Sequence, residues 1–494
     1  MTSPLYIGAA CAITIGLWLV VRMVQRKTEL PYPPGPKRLP IIGNALDIDM
    51  KEPHVTYAEW GKTYGDIIYS CTFGQDFVIV NSERIARILA DQRSSTYSDR
   101  PQSPLYRIFG INRMTALLKY GNEWRMHRKI LHASLRHDIV DRYQDLHLGN
   151  ARQLLDNLQR DSINWYTHID LYTGATALEF TYGRKVDGKG DRIITLVNSL
   201  VEMMGKEMTN ERVGALMALP ILEHLPSWFP GAGFKKAAQR SKDTMKTVSE
   251  LPFSIAKKQM ESNLLQPSLM ADILTHGGVE ESDAMDATTG IFMAAAESTS
   301  STLKVLVLTM VLNPDIQAKV HAELDTVVGK GVLPSFKDKE RLPYLQAVLY
   351  EVLRWRSVLP LGLPHATTTS DVFEGYYIPK GCIVLFNTWA MRTRGYSDPE
   401  SFEPSRHLTS DGQLKPEAKQ DILKYFGFGR RICPGRFLAE NALWAAASAM
   451  LSALRFEKAK DSSGKVIEVE PLFLHGVASR PVPFKCSIKS RISD

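Results

Sequence analysis

Cys433 lies in FGFGRRICPG, residues 426–435, with no second cysteine or histidine beside it. A zinc site needs several ligands and a disulfide needs a partner, so neither accounts for this thiol. Gly427, Gly429 and Gly435 let the backbone turn tightly and approach a flat group without Cβ clashes. Pro434 and Gly435 open a predicted helix, whose positive end favours thiolate over thiol at Cys433. Arg431 offers a fixed cation to a carboxylate. A lone thiolate near an anion-binding arginine suits a cofactor that brings its own equatorial ligands, which is haem held by one axial cysteine. The plainer alternative is a structural cysteine in a glycine-rich turn.

Other residues carry weaker signals. Glu351 and Arg354 in YEVLRWR stand at i, i+3 on a predicted helix, a spacing that by itself describes a solvated ion pair. Trp124 and Arg128 in NEWRMHRK are one turn apart and share a helix face. Alone, they describe an arginine packed on an indole. In MAAAESTSS the alanines suit a packing seam between helices, but Glu297 is out of place in so apolar a helix.

The spacing F-x-x-G-x-R-x-C-x-G, met by Phe426, Gly429, Arg431, Cys433 and Gly435, resembles the haem-binding signature of the cytochrome P-450 family. The resemblance implies haem b as cofactor, with the Cys433 thiolate as axial ligand to iron and Phe426 and Gly435 in the cofactor loop. Trp124 and Arg128 match the family's W-x-x-x-R, which with Arg431 would meet the haem propionates. His365 in LPLGLPHAT stands where many microsomal relatives carry a propionate-binding His or Arg. Glu351 and Arg354 match ExxR, whose arginine joins a second one, here Arg406 of FEPSRH, in scaffolding the cysteine loop. The family pattern usually ends there in Phe, where this chain has His407. The distal pattern [AG]-G-x-[DE]-T-[TS] aligns with residues 294–299, with Ala295 for glycine and Ser298 for threonine. Glu297 and Ser298 would then be the catalytic acid and alcohol that manage water and protons at the reacting oxygen.

These residues need a scaffold. The chain has 494 residues, 44% hydrophobic and 23% charged, enough for a large core. No linker or repeat divides it after residue 40, which predicts one catalytic domain over 45–494. Five scattered cysteines without a CxxC pair argue for a reducing compartment. A net charge of +7 without a long basic run suits an acidic partner or anionic lipid, not nucleic acid. Residues 4–21 carry no charge and are followed by Arg22, Arg26 and Lys27, which reads as a transmembrane anchor over 1–28 with the rest of the chain cytosolic. A cleaved signal peptide fits less well, because no basic residue precedes the apolar run. PYPPGPKRLPIIGN makes 29–44 a stiff proline-rich hinge. Residues 67–80 predict a hairpin, 121–313 are helical in pattern, a last helix begins near Arg436, and strands are few. The fold class is mainly α with a small β portion, which by resemblance is the cytochrome P-450 fold behind an N-terminal transmembrane helix.

The resemblance implies a monooxygenase on the endoplasmic reticulum membrane, single-pass, with a cytosolic catalytic domain. It would insert one oxygen atom of O2 into a small apolar substrate, such as a terpenoid of secondary metabolism. Electrons would come from NADPH–cytochrome P-450 reductase, with cytochrome b5 as an additional donor. No flavin or GxGxxG unit is evident in the chain itself. Arg125, Arg128, Lys129, Arg430 and Arg436 would form the landing surface. Pocket walls would come from Ser103–Leu118, the helix near Phe292, Val358–Leu363 and Leu472–Val477. The alternatives are a same-fold isomerase or dehydratase and a non-catalytic haem protein.

Overall fold

The computed structural model describes residues 29–186, 190–218, 220–229, 231–393, 396–475 and 478–491; the expected anchor over 1–28 lies outside them. The expected hairpin forms: β1 (Ile67–Thr72) and β2 (Gln75–Val80) pair antiparallel, with Ile67 opposite Val80 and Thr72 opposite Gln75. With β3 (His365–Ala366) and β4 (Ile383–Phe386) they make a four-stranded sheet in the order β1-β2-β4-β3. β4 is parallel to β2 and antiparallel to β3, and His365 lies opposite Val384. The proline-rich segment is stitched to this sheet and is not a free spacer. Tyr69 N–H donates to the Pro34 carbonyl at 2.9 Å, Asn44 N–H donates to the Cys71 carbonyl at 2.8 Å, and Tyr32 stacks on Tyr69.

Six helices frame the candidate site: α1 (Asn122–Ser134), α2 (Gln144–Arg160), α3 (Trp165–Tyr182), α4 (Glu281–Leu312), α5 (Pro343–Trp355) and α6 (Arg436–Ala453). With 32 residues, α4 is about 48 Å long. It is apolar and long enough to cross a membrane, yet 78% of that apolar window is buried inside the protein, as expected of a core helix. Its C-terminal half, from Leu303 to Val311, packs with α2, α3, α5 and α6 in one apolar cluster. Its N-terminal half, from Ala284 to Ala296, belongs to a second cluster with α1 and the helices Arg192–Glu207 and Phe234–Glu261. The polar stretch Glu297–Thr302 falls between the two halves. β5 (Phe473–His475) and β6 (Ser479–Pro481) form a small hairpin that touches α4. The apolar loop before residue 234 is exposed, with Trp228 at 80%.

Candidate functional site

The cysteine loop runs from the 3-10 turn Ile422–Phe426 through a second turn, Gly429–Arg431, into α6. Cys433 N–H donates to the Phe426 carbonyl at 2.8 Å, which closes the loop. Phe426 therefore acts here through its backbone, while its ring packs against the cluster of Tyr350 and Leu353. Gly429 has φ +58°, and a Cβ on it would lie 1.9 Å from the Ala90 carbonyl oxygen. Only glycine permits both that backbone conformation and that approach. A Cβ on Gly435 would lie 3.3 Å from Ile291 Cδ1 and 3.9 Å from Cys433 Sγ, so this glycine lets α4 close against the loop beside the thiol.

Burial pushes the Cys433 thiol above its ordinary value, opposed by the Gly435 N–H and by Arg128 and Arg436. The helix end pulls toward thiolate as expected, through the Gly435 N–H, but burial outweighs it in the protein by itself. A thiolate here requires a cation to take up its charge.

A set of mutually interacting cations extends from Arg128, which acts on the thiol, through Arg431 to Arg100. Arg431 Nε donates to the Ser98 carbonyl and Nη2 to the Leu118 carbonyl, both at 2.8 Å, and the guanidinium sits 4.4 Å above the Trp124 ring. Arg128 Nη1 donates to the Ile432 carbonyl at 2.8 Å. A third guanidinium, Arg100, which the sequence reading did not single out, donates to the carbonyls of Ala116, Leu363 and Pro364. Burial lowers all three, Arg431 to about 9 and Arg100 to about 10. Among the described residues none of the three forms a salt bridge with a carboxylate. Asp99 acts on Arg100 and Arg431 only from a distance, because its Oδ1 accepts from Tyr120 N–H at 2.8 Å.

His365 joins this set with its Nδ1 2.7 Å from the Tyr97 carbonyl. A carbonyl only accepts, so Nδ1 carries the hydrogen and Nε2 is the acceptor of a neutral ring. Burial, Arg100 and Arg431 hold its pKa well below the ordinary value. It would donate to a carboxylate through Nε2 only after taking up a proton, so it is a weaker propionate ligand than the arginines.

The scaffold behind the loop is present with one member changed. Glu351, fully buried, accepts from Arg354 Nε at 2.7 Å and Nη2 at 2.8 Å, and from the Glu403 N–H at 2.8 Å. Arg406 Nε approaches it only to 3.5 Å, whereas His407 Nε2 lies 3.1 Å from its Oε2. The histidine found in place of the usual phenylalanine is thus a hydrogen-bonding member of the cluster.

On the distal side, Ser298 Oγ donates to the Ala294 carbonyl at 2.7 Å. Ser298 is half-exposed and Ala294 exposed one turn before it, whereas Thr299 is buried. In the stretch of α4 expected at the pocket, Phe292 is fully buried with its ring against Tyr182. Ala294 and Ala295 are the accessible apolar residues of this stretch. Glu297 Oε1 lies 3.5 Å from Arg480 Nη1 on β6, and burial raises its pKa above the ordinary carboxylate value against the pull of Arg480 and Lys304. Of the five basic residues expected on the cysteine side, Arg125, Lys129 and Arg430 are exposed, while Arg128 and Arg436 turn inward to the loop carbonyls.

A haem fits these donors: one thiol, an arginine cluster with no carboxylate partner among the described residues, and a glycine pair that clears the approach. Comparison with known proteins agrees. The family model described as Cytochrome P450 matches residues 33–488. The chain is 35% identical to cytochrome P450 monooxygenase 136 of Postia placenta, over 99% of this chain and 94% of that protein. It is 36% identical to cytochrome P450 monooxygenase ple1 of Rhodocybe pseudopiperita, over 97% and 93%. With cytochrome P450 monooxygenase COX1 of Coprinopsis cinerea it shares 33% identity over 98% and 96%.

Proposed function

The chain belongs to the cytochrome P450 family, and from that premise we propose that Cys433 is the iron ligand and that the substrate is an apolar molecule met at a membrane surface. The protein is a monooxygenase whose cofactor is haem b on a cysteine thiolate, working with O2, an organic substrate and a redox partner. When bound, that haem supplies the activation of O2. The observation that carries the residue assignment is the trio of buried Arg100 and Arg431 with half-buried Arg128, bonded to backbone carbonyls and to no carboxylate among the described residues, Arg128 acting on the Cys433 thiol. These guanidiniums would hold the haem propionates, Trp124 would keep Arg431 in place, and His365 would complete the rim. Glu297 would take and release protons, and Ser298 would orient water toward the reacting oxygen. Ala294, Ala295 and the half-buried Val358, Leu359 and Leu363 offer apolar surface, which supports an apolar substrate such as a terpenoid of secondary metabolism.

The electron donor in this reading is NADPH–cytochrome P-450 reductase, with cytochrome b5 as a second donor. It would land where Arg125 and Arg430 flank Tyr120, at 5.1 and 5.5 Å from its ring, with exposed Lys129 nearby. Exposed Trp228, Phe229 and Lys236 support contact with the endoplasmic reticulum membrane. Cys433→Ala should abolish the red-shifted carbon monoxide band of the reduced protein; its persistence would overturn the ligand assignment. Substrate-dependent NADPH consumption with added reductase tests the rest. A same-fold isomerase or dehydratase would turn over a peroxide without reductase, and a non-catalytic haem protein would do neither.

A further inference from the structure

Glu297 is part of a line of four charges that links α4 to α3 and to the β5–β6 hairpin. Its Oε1 faces Arg480 Nη1 at 3.5 Å. Two turns further along α4, Lys304 is almost wholly buried, with Nζ 2.6 Å from Asp170 Oδ1 of α3 and 3.7 Å from the centre of the Tyr166 ring. Ser300 Oγ donates to the same Asp170 oxygen at 2.5 Å. Tyr166 hydroxyl in turn donates to the Pro481 carbonyl at 2.8 Å, next to Arg480. The strand that carries Arg480 is also held at Ser479, whose N–H donates to the Val358 carbonyl at 2.8 Å. Asp170 and Lys304 neutralise each other. Arg480 is left facing Glu297, with Glu202 of the helix Arg192–Glu207 acting on it from the solvent side.

The Glu297–Arg480 contact differs in kind from the carboxylate–arginine pair of α5. Glu351 and Arg354 meet in two bonds of 2.7 and 2.8 Å, a closed structural pair. Glu297 and Arg480 meet once, at the outer limit of a hydrogen bond, so the carboxylate keeps free lone pairs and freedom to turn. A contact of that sort contributes little to stability but biases where a carboxylate points and whether it is ionised.

We propose that Arg480 is a positioning residue that holds Glu297 in place between turnovers, with the Asp170–Lys304 pair fixing the charge behind it. The hairpin that forms one expected wall of the pocket is thereby tied to the residue that handles protons. The inference rests on reading Glu297 as the acid of the distal pair.

The test uses the full-length holoenzyme with Arg480→Gln, Arg480→Lys and Glu297→Gln. Infrared difference spectra of the resting protein across pH report the protonated carboxyl band that Glu297→Gln removes. Arg480→Gln should raise the midpoint of that band by about one pH unit, because the cation that favours ionisation is gone. Arg480→Lys should stay near wild type. In turnover, Arg480→Gln should divert NADPH to hydrogen peroxide and move the pH profile of product formed per NADPH upward, while the spectral dissociation constant for substrate is unchanged. An unmoved midpoint and profile in Arg480→Gln, with Glu297→Gln uncoupled, would overturn the inference alone. Full coupling in Glu297→Gln would overturn the reading beneath it. Should Arg480→Gln fail to retain haem, Arg480→Lys decides: a midpoint and coupling matching wild type support the tether, and uncoupling without a shifted midpoint refutes it.

Discussion

Gly429→Ala probes the cysteine loop most directly, because two independent costs can be read from the structure. The first is conformational. At φ +58° an L-residue pays about 1–2 kcal/mol to adopt the left-handed region. The second is steric. The new Cβ would stand 1.9 Å from the Ala90 carbonyl oxygen, whereas a normal C···O contact is about 3.3 Å, so about 1.4 Å of separation must be found. Neither partner is a flexible side chain. Ala90 lies in the π-helical turn Ile88–Gln92 and is 1% exposed, and Gly429 begins the turn that carries Arg431. Overpacking of rigid groups adds about 1–3 kcal/mol, for a total of about 2–5 kcal/mol. Gly464 supplies the control, since it has φ +83° and nothing within 4 Å of its Cβ position. Gly464→Ala should therefore show only the conformational cost, about 1–2 kcal/mol. Denaturant unfolding of both variants, with haem content per polypeptide measured alongside, gives the comparison. Gly429→Ala should be the less stable by about 2 kcal/mol and should lose haem, because the displaced turn carries Arg431 and leads to Cys433. Equal stability and full haem content in the two variants would refute the close-approach argument.

Ser298→Ala should keep NADPH consumption but divert it to hydrogen peroxide, and Thr299→Ala should change the ratio of product to NADPH much less, since Thr299 is buried and Ser298 accessible; the reverse order would put the wrong alcohol at the site. His147 supplies a pH prediction. It is fully buried on α2 with neither ring nitrogen bonded, and burial lowers its pKa to about 3. Its folded value lies below the unfolded one of about 6.5, so the unfolded state binds the proton first and stability is lost as pH falls. Between pH 7 and 5 wild type should lose about 2 kcal/mol that His147→Leu does not, by unfolding at both pH values; identical slopes would sink the idea.

The residues most legible in the sequence were those whose backbone geometry admits few substitutes. Gly429 must be glycine at its φ and its contact, and that requirement is visible as a letter. Helix α4 was legible too: the helical pattern over 121–313 ends where this helix does, at Leu312 of Glu281–Leu312. What rotates with register was harder to read. Phe292 and Ala294 are two residues apart on one helix, about 200° in direction, so a neighbourhood read from sequence leaves the exposed face open. Glu297 stood out as an acid in apolar surroundings, but its partner Arg480 is 183 residues away and no spacing rule connects them. Lys304 carried a signal that could have been used, since a lysine inside LKVLVLTMVL must be paired or neutral. His407 was seen as a departure from the family pattern, yet only the fold shows its ring bonded to Glu351.

Arg100 was missed for a different reason. Its partners are the carbonyls of Ala116, Leu363 and Pro364, and carbonyl oxygens carry no side-chain identity for a sequence to display. The same choice of partner lets three guanidiniums stand together with no salt-bridged acid among the described residues. A buried carboxylate would cancel their charge permanently, as Glu351 does for Arg354. Carbonyls satisfy the N–H donors and leave the charge uncancelled, so the cations remain available to an anion that arrives from outside. The cost is borne by the protein alone, where burial lowers Arg431 to about 9. On the proposed reading, a bound dianion would remove that cost. Because Arg431 also ties Ser98 and Leu118 to the cysteine loop, occupancy by that anion and order of the loop would then be a single property.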